Sequence, residues 1–162
     1  MIVGVPKEIY PKERRVGLVP AVVPNLKKAG MDVVVEAGAG ILAGYPDAEY
    51  MEKGARMMES RAELFQTTDI IVQFLCHGAN DKTGTIDLPL MKKGQALVGF
   101  LRPLGTLKTL QEIAERGVTA FSVELMPRTT RAQSMDALSS MATICGYRAV
   151  VLAAETLPRM FP

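Results

Sequence analysis

"VVVEAGAGILAG", residues 33–44, decides which kind of α/β fold this chain adopts. Three consecutive valines closed by an acidic residue read as a strand covered on both faces, because a half-exposed strand would alternate with polar residues. Gly38, Gly40 and Ala43 then satisfy, in form, the G-x-G-x-x-A fingerprint of a dinucleotide turn. That fingerprint needs a helix running straight on from the glycines, so that its first amides face a pyrophosphate. Here Gly44, Tyr45 and Pro46 interrupt within a turn. The acidic residue expected at the end of the next strand is also missing, since Asp69 precedes its strand. The stretch therefore reads as a buried strand followed by a glycine-rich turn.

Working outward, "IVGVP" (2–6), "DIIVQF" (69–74), "QALVGF" (95–100) and "VTAFSVE" (118–124) repeat the near-continuous apolar pattern. Between them lie helix patterns. "AVVPNLKKAG" (21–30) stops at Gly30, and "TLKTLQEIAERG" (106–117) is bounded by Thr106 as an N-cap and Gly117 as a stop. Residues 47–54 and 60–66 are helical but weaker. This alternation predicts a doubly wound parallel sheet of about five strands with flanking helices. In such sheets ligands gather beyond the C-terminal strand ends, so the loops after Val5, Gln73, Phe100 and Glu124 matter most. A long C-terminal helix is expected over roughly 134–157, before Pro158. Met135, Leu138, Ala142, Cys145, Ala149 and Leu152 form its apolar stripe, and Ser139, Ala142 and Gly146 would let a partner approach closely. No repeat, linker or low-complexity segment interrupts the chain, which reads as one domain.

Composition narrows the function. At 162 residues with 48% hydrophobic and 22% charged residues, the chain is long enough for a real core. A net charge of +2 excludes strongly basic binding to nucleic acid or to an anionic membrane. Cys76 and Cys145 form neither a disulfide framework nor a metal spacing, so a reducing cytosol is the default compartment. "AVVLAA" is bracketed by Arg148 and Glu155, and no segment is expected to enter a membrane. The closing "LPRMFP" reads as a chain cut short or as a natural terminus.

Three stretches can carry chemistry. Cys76 and His77, the latter the one histidine of the sequence, lack the further ligands of a metal site and the orienting group of a catalytic pair, so a structural role is expected. "KEIYPKERRVGLVP" (7–20) offers Lys7, Glu8, Glu13, Arg14 and Arg15, either as an arginine clamp for a carboxylate or as an ion-paired loop. "PRTTRAQSMDALSS" (127–140) is the most specific. Arg128 and Arg131, three apart, with Gln133, Asp136 and Ser139 beyond them, suit a planar, amide-bearing ring: glutamine and serine can bond a neutral amide, and an aspartate can orient a guanidinium. The plainer reading is a helix start with Ser134 as N-cap and Asp136 in the first turn. Both readings can hold together.

At these residues the chain resembles a known family. "PRTTRAQSMDALSSMATICGYRAVVLAAETLPRMFP", with "VPKE…ERRVGLVP", "EAGAGILAGYPDAEY" and "VGFLRPL", is similar to the N-terminal part of the NAD(H)-binding component of proton-translocating nicotinamide nucleotide transhydrogenase. That family is related to alanine dehydrogenase, and the likeness runs from end to end. The resemblance implies a flavodoxin-like or Rossmann-like first domain over 1–162, with the following Rossmann NAD-binding domain absent from this chain. It implies that Arg128, Gln133 and Asp136 position the nicotinamide, with Ser139 and Tyr147 completing the NAD(H) contacts and no metal. Hydride would pass from NADH to NADP⁺ on a partner subunit, which needs ring positioning and no general acid or base.

The implied partners are the NADP(H)-binding and membrane subunits and a second copy in a homodimer. The implied location is cytoplasmic, peripheral to the inner membrane through those subunits. Two alternatives remain. One is an alanine dehydrogenase, whose family histidine and lysine are replaced here by Arg102 and Gln73, although Arg15 matches its carboxylate-binding arginine. The other is a folded but catalytically silent fragment, because the 162-residue chain lacks most of the nucleotide contacts.

Overall fold

A computed structural model of the chain describes residues 1–160; Phe161 and Pro162, the end of the apolar terminus, lie outside the described residues. The chain divides into two compact units, Met1–Ser122 and Val123–Pro162.

The first unit holds a parallel sheet of β1 (Ile2–Val5), β2 (Asp32–Glu36), β3 (Arg56–Met58), β4 (Ile70–Leu75), β5 (Ala96–Phe100) and β6 (Thr119–Ser122). Its order is β3-β2-β1-β4-β5-β6. The five strands expected from sequence stand in the flavodoxin order. The short β3, "RMM", extends them to the Rossmann order, with the switch point between β1 and β4. β3 escapes a sequence reading because three residues with an exposed arginine make no apolar run.

The crossovers are α1 (Val23–Lys28), α2 (Asp47–Glu52), α3 (Arg61–Thr67) and α4 (Leu107–Glu115). Between β4 and β5 the described chain makes two 3-10 turns, Gly84–Ile86 and Leu88–Leu90. Successive residues of β2 point to opposite faces. Val34 joins Leu64, Phe65, Ile71, Leu97 and Ile113, while Val33 and Val35 join Val5, Val23 and Tyr50. Both faces of β2 are therefore covered, which is why it reads as unbroken valine; β6 departs from the expectation, with Thr119, Ala120 and Phe121 exposed at the sheet edge.

The glycine-rich turn is a turn. The Gly38 amide donates to the Asp47 carboxylate at 2.9 Å, and α2 begins only at Asp47. Gly40 lies so close to Tyr50 and the Tyr45 carbonyl that a Cβ would overlap both. The turn spends its geometry on packing rather than on a phosphate.

In the second unit a 3-10 turn, Val123–Leu125, precedes the polar loop, and α5 (Ala137–Thr156) follows it. The helix starts later than the expected 134. Residues Gln133–Met135 form a separate 3-10 turn, and Asp136 rather than Ser134 is the N-cap. An aspartate can accept two helix amides, whereas a serine at 134 would have to start the helix before the loop has turned. The expected apolar stripe is not one-sided, because Ile144, Val150 and Val151, which lie off it, are also exposed. By length and composition α5 is apolar enough to cross a bilayer. However, Arg148 falls near its centre, where a charge opposes insertion by about 3 kcal/mol.

Candidate functional site

The polar loop is built by consecutive short turns. The Thr129 amide donates to the Pro127 carbonyl at 2.9 Å, Ala132 to Thr129 at 3.0 Å and Met135 to Ala132 at 2.9 Å. Ala132 is buried and anchors the loop while its polar neighbours stay exposed. The turns wrap Arg128, Thr129, Thr130, Gln133, Asp136 and Ser139 around a concavity of about 310 Å³. That volume is at the small end for ligand sites and suits one ring with substituents. Thr129 and Thr130 were not anticipated from sequence, where a doubled threonine carries no signal of its own. Tyr147 is not among the lining residues. It stands two turns further along α5, about 12 Å along the axis at 1.5 Å per residue, and is exposed.

Asp136 organises the group. One carboxylate oxygen accepts the Leu138 and Ser139 amides at 3.0 and 3.1 Å, and the other accepts the Ser139 hydroxyl at 2.6 Å. These bonds hold the carboxyl below its ordinary 3.8: the Ser139 hydroxyl contributes most, then the helix amides, with the Arg128 charge adding to them. The carboxylate has no proton to give, so Ser139 must be the donor in their bond. Toward a ligand Ser139 is left as an acceptor. Arg128 supplies donors, and Gln133 supplies both kinds. The set therefore presents a donor and an acceptor at separate points, as a primary carboxamide requires.

The first unit gathers a second polar cluster at the C-terminal edge of its sheet. The Arg15 guanidinium lies 3.8 Å from the Phe74 ring centre and donates to Glu13 at 2.7 Å through Nε. Of the two readings of this stretch, Glu13 supports the ion-paired loop, and Arg15 keeps a partly exposed side chain beside it. Arg61 donates twice to Asp87, at 2.7 and 2.8 Å, once to Glu36 at 2.8 Å and once to the Lys7 carbonyl at 2.7 Å. Gln73 is buried and its side-chain amide donates to Asp87 at 3.1 Å, while its side-chain oxygen Oε1 finds no hydrogen-bond partner among the described residues. Arg102 occupies a left-handed backbone position after β5, with φ of 55°. His77 is buried with Nε2 2.7 Å from Glu112, tying the loop after β4 to α4, and Cys76 is buried beside it. Glu112 is a partner for His77 that the sequence did not reveal, and the Cys76 and His77 side chains are both more buried than a surface pair would be. Among the described residues no cluster of His, Cys, Asp and Glu is arranged to hold a metal.

Comparison with known proteins follows the same lines. Residues 4–145 match the family model described as alanine dehydrogenase/PNT, N-terminal domain. The NAD(P) transhydrogenase subunit alpha of Cereibacter sphaeroides is 38% identical over 99% of this chain, which spans 30% of that protein. Among solved structures, transhydrogenase from Sinorhizobium meliloti is 39% identical with a TM-score of 0.89, over 100% of this chain and 46% of that one. An L-alanine dehydrogenase is 30% identical with a TM-score of 0.83, over 96% of this chain and 40% of that one. The chain thus spans less than half the length of each.

Proposed function

We propose, from the premise that this chain belongs to the alanine dehydrogenase/PNT N-terminal domain family, that it is the N-terminal part of a transhydrogenase alpha subunit and positions the nicotinamide of NAD(H) for hydride transfer to NADP⁺ on a partner subunit. The observation that carries this reading is the concavity lined by Arg128, Gln133, Asp136 and Ser139. Its donor set fits the ring's carboxamide: Arg128 donates to the carbonyl oxygen, and Ser139, its proton committed to Asp136, accepts from the amide N–H. Gln133 completes either side. Asp136 acts as a positioning residue, because its oxygens are taken up by the helix start and by Ser139. The bound nicotinamide would supply the hydride, so the chain's task is to hold a plane and an angle, with no proton transfer required.

The rest of the assignment belongs to the same proposal. The chain is a first domain over 1–162, followed in longer relatives by a Rossmann domain that supplies the adenosine and pyrophosphate contacts. Tyr147 contacts the nucleotide only once that longer assembly is complete. The subunit pairs as a homodimer, meets the NADP(H)-binding and membrane subunits, and is cytoplasmic and peripheral to the inner membrane through them. The names of the transhydrogenase relatives support an oxidoreductase component of this kind.

An amino-acid dehydrogenase is the weaker reading. That chemistry moves protons at the substrate, yet Gln73 at the lysine position is buried and holds Asp87. Arg102 at the histidine position has no proton to exchange near neutrality.

The test is titration of NADH into the 162-residue chain, followed by nucleotide fluorescence, beside Arg128→Ala and Gln133→Ala. Each substitution should weaken binding about tenfold or more, the worth of one hydrogen bond involving a charged or committed partner. Unchanged binding in both variants would overturn the assignment of the loop.

A further inference from the structure

We infer that Glu8 is a positioning residue and a proton-sensitive clasp: its carboxylate holds the end of β4, and through it the Phe74 ring on which Arg15 lies. This inference stands apart from the nicotinamide reading, because Glu8 and loop 127–140 belong to different units.

The geometry begins with an unfinished strand pair. β1 pairs with β4 only at Val3 with Ile70 and Gly4 with Ile71. Beyond Val5 the chain turns away, and β4 itself shifts register against β5 between Val72 and Leu75. The amides of Phe74 and Leu75 are therefore left without a strand on the β1 side. Glu8 takes both, its two carboxylate oxygens accepting from Phe74 at 2.6 Å and from Leu75 at 3.1 Å. A side chain has replaced a strand. The residue so held is Phe74, whose ring packs against Phe100 at 4.9 Å between centroids and carries the Arg15 guanidinium at 3.8 Å.

Charge balance makes the clasp sensitive. The Arg61 charge on α3 favours the ionised form of Glu8, but its guanidinium is committed to Asp87 and Glu36. Glu13, on the loop it shares with Glu8, is committed to Arg15 and repels a second negative charge. Asp87 and Glu36 thus take up the Arg61 guanidinium, and among the described residues Glu8 is held by backbone amides rather than by an ion pair. Burial pushes its carboxyl up to about 7, against the two amide bonds and Arg61, which favour the charged form. Deprotonated, Glu8 accepts both amides. Protonated, one oxygen becomes a donor and one amide loses its partner. The setting of Phe74, and of Arg15 above it, then follows pH through neutrality.

The experiment is nitrogen–proton NMR on the 162-residue chain from about pH 5 to about pH 9, read beside the carbon-13 shift of the Glu8 carboxyl. The carboxyl and the Phe74 and Leu75 amides should titrate together with a midpoint near 7. In Glu8→Gln the two amide titrations should vanish. A Glu8 carboxyl midpoint near the ordinary 4.5 overturns the inference, and needs no variant to fold. Amides that stay flat in the unmodified chain, or that titrate equally in Glu8→Gln, overturn it as well.

Discussion

Removal of the Arg61 guanidinium should unfold the sheet more readily than any loss of apolar contact of similar size. Arg61 opens α3, and its side chain joins the loop after β1 through the Lys7 carbonyl, the end of β2 through Glu36 and the loop after β4 through Asp87. Arg61→Met keeps most of the aliphatic stem and deletes the charge. Asp87, whose side chain is only 1% exposed, would then hold a buried charge with Gln73 among its remaining donors. The two bonds lost to Asp87 alone, at about 1.5–3 kcal/mol each, amount to about 3–6 kcal/mol, before the bonds to Glu36 and the Lys7 carbonyl are counted. Breaking one side of a buried pair costs about 3–5 kcal/mol, which agrees. Against a total stability of about 5–15 kcal/mol this is a large fraction.

The assay is urea unfolding followed by far-UV circular dichroism, since the chain has no tryptophan to report by fluorescence. The companion variant Arg61→Met with Asp87→Leu removes both charges and should recover at least half of the loss, because a well-packed apolar pair often replaces a buried ion pair without cost. A loss under about 1 kcal/mol for Arg61→Met alone would refute the argument, as would a double variant no more stable than the single one.

Three further outcomes are expected. Glu8 binds its proton more tightly folded than unfolded, so it contributes stability that is present below 4.5 and lost as pH rises through about 7. Relative to Glu8→Gln, the unmodified chain should lose about 3 kcal/mol across that window, measured as the pH dependence of urea unfolding. Gly99→Ala places a Cβ onto the Gln73 carbonyl of the neighbouring strand and should cost about 1–3 kcal/mol by the same assay, since backbone cannot move aside as a side chain can. Asp136→Asn should keep the Leu138 and Ser139 amides protected from hydrogen exchange, and Asp136→Ala should not, because asparagine caps a helix nearly as well as aspartate and alanine does not.

How much of this was legible beforehand depends on the range of the forces involved. The alternation of buried strands and helices was readable in "DVVVE" and "TLKTLQEIAERG", because burial on both faces and a stop at Gly117 leave their marks within a few residues, although the Thr106 hydroxyl donates to the Arg102 carbonyl rather than capping α4. So was the failure of the glycine fingerprint, since Pro46 forbids the helix it would need. The polar loop was legible as a group, and Arg128, Gln133, Asp136 and Ser139 do share one concavity. Their division of labour was not. That Asp136 caps α5 and commits the Ser139 proton depends on where the helix begins, and Ser134 and Asp136 are equally good caps in sequence terms.

What only the tertiary structure decided lies in contacts between residues far apart in the chain. β3 exists because β2 offers it an edge, not because "RMM" prefers to be extended. Glu8 looked like one more charge in a charged loop, yet the fold brings it to two amides more than sixty residues away and buries it there. Local sequence determines which segments become strands and helices, because propensity, capping and periodicity act within a turn or two. Which charge ends up desolvated, and what it then holds, is settled when those segments close on one another.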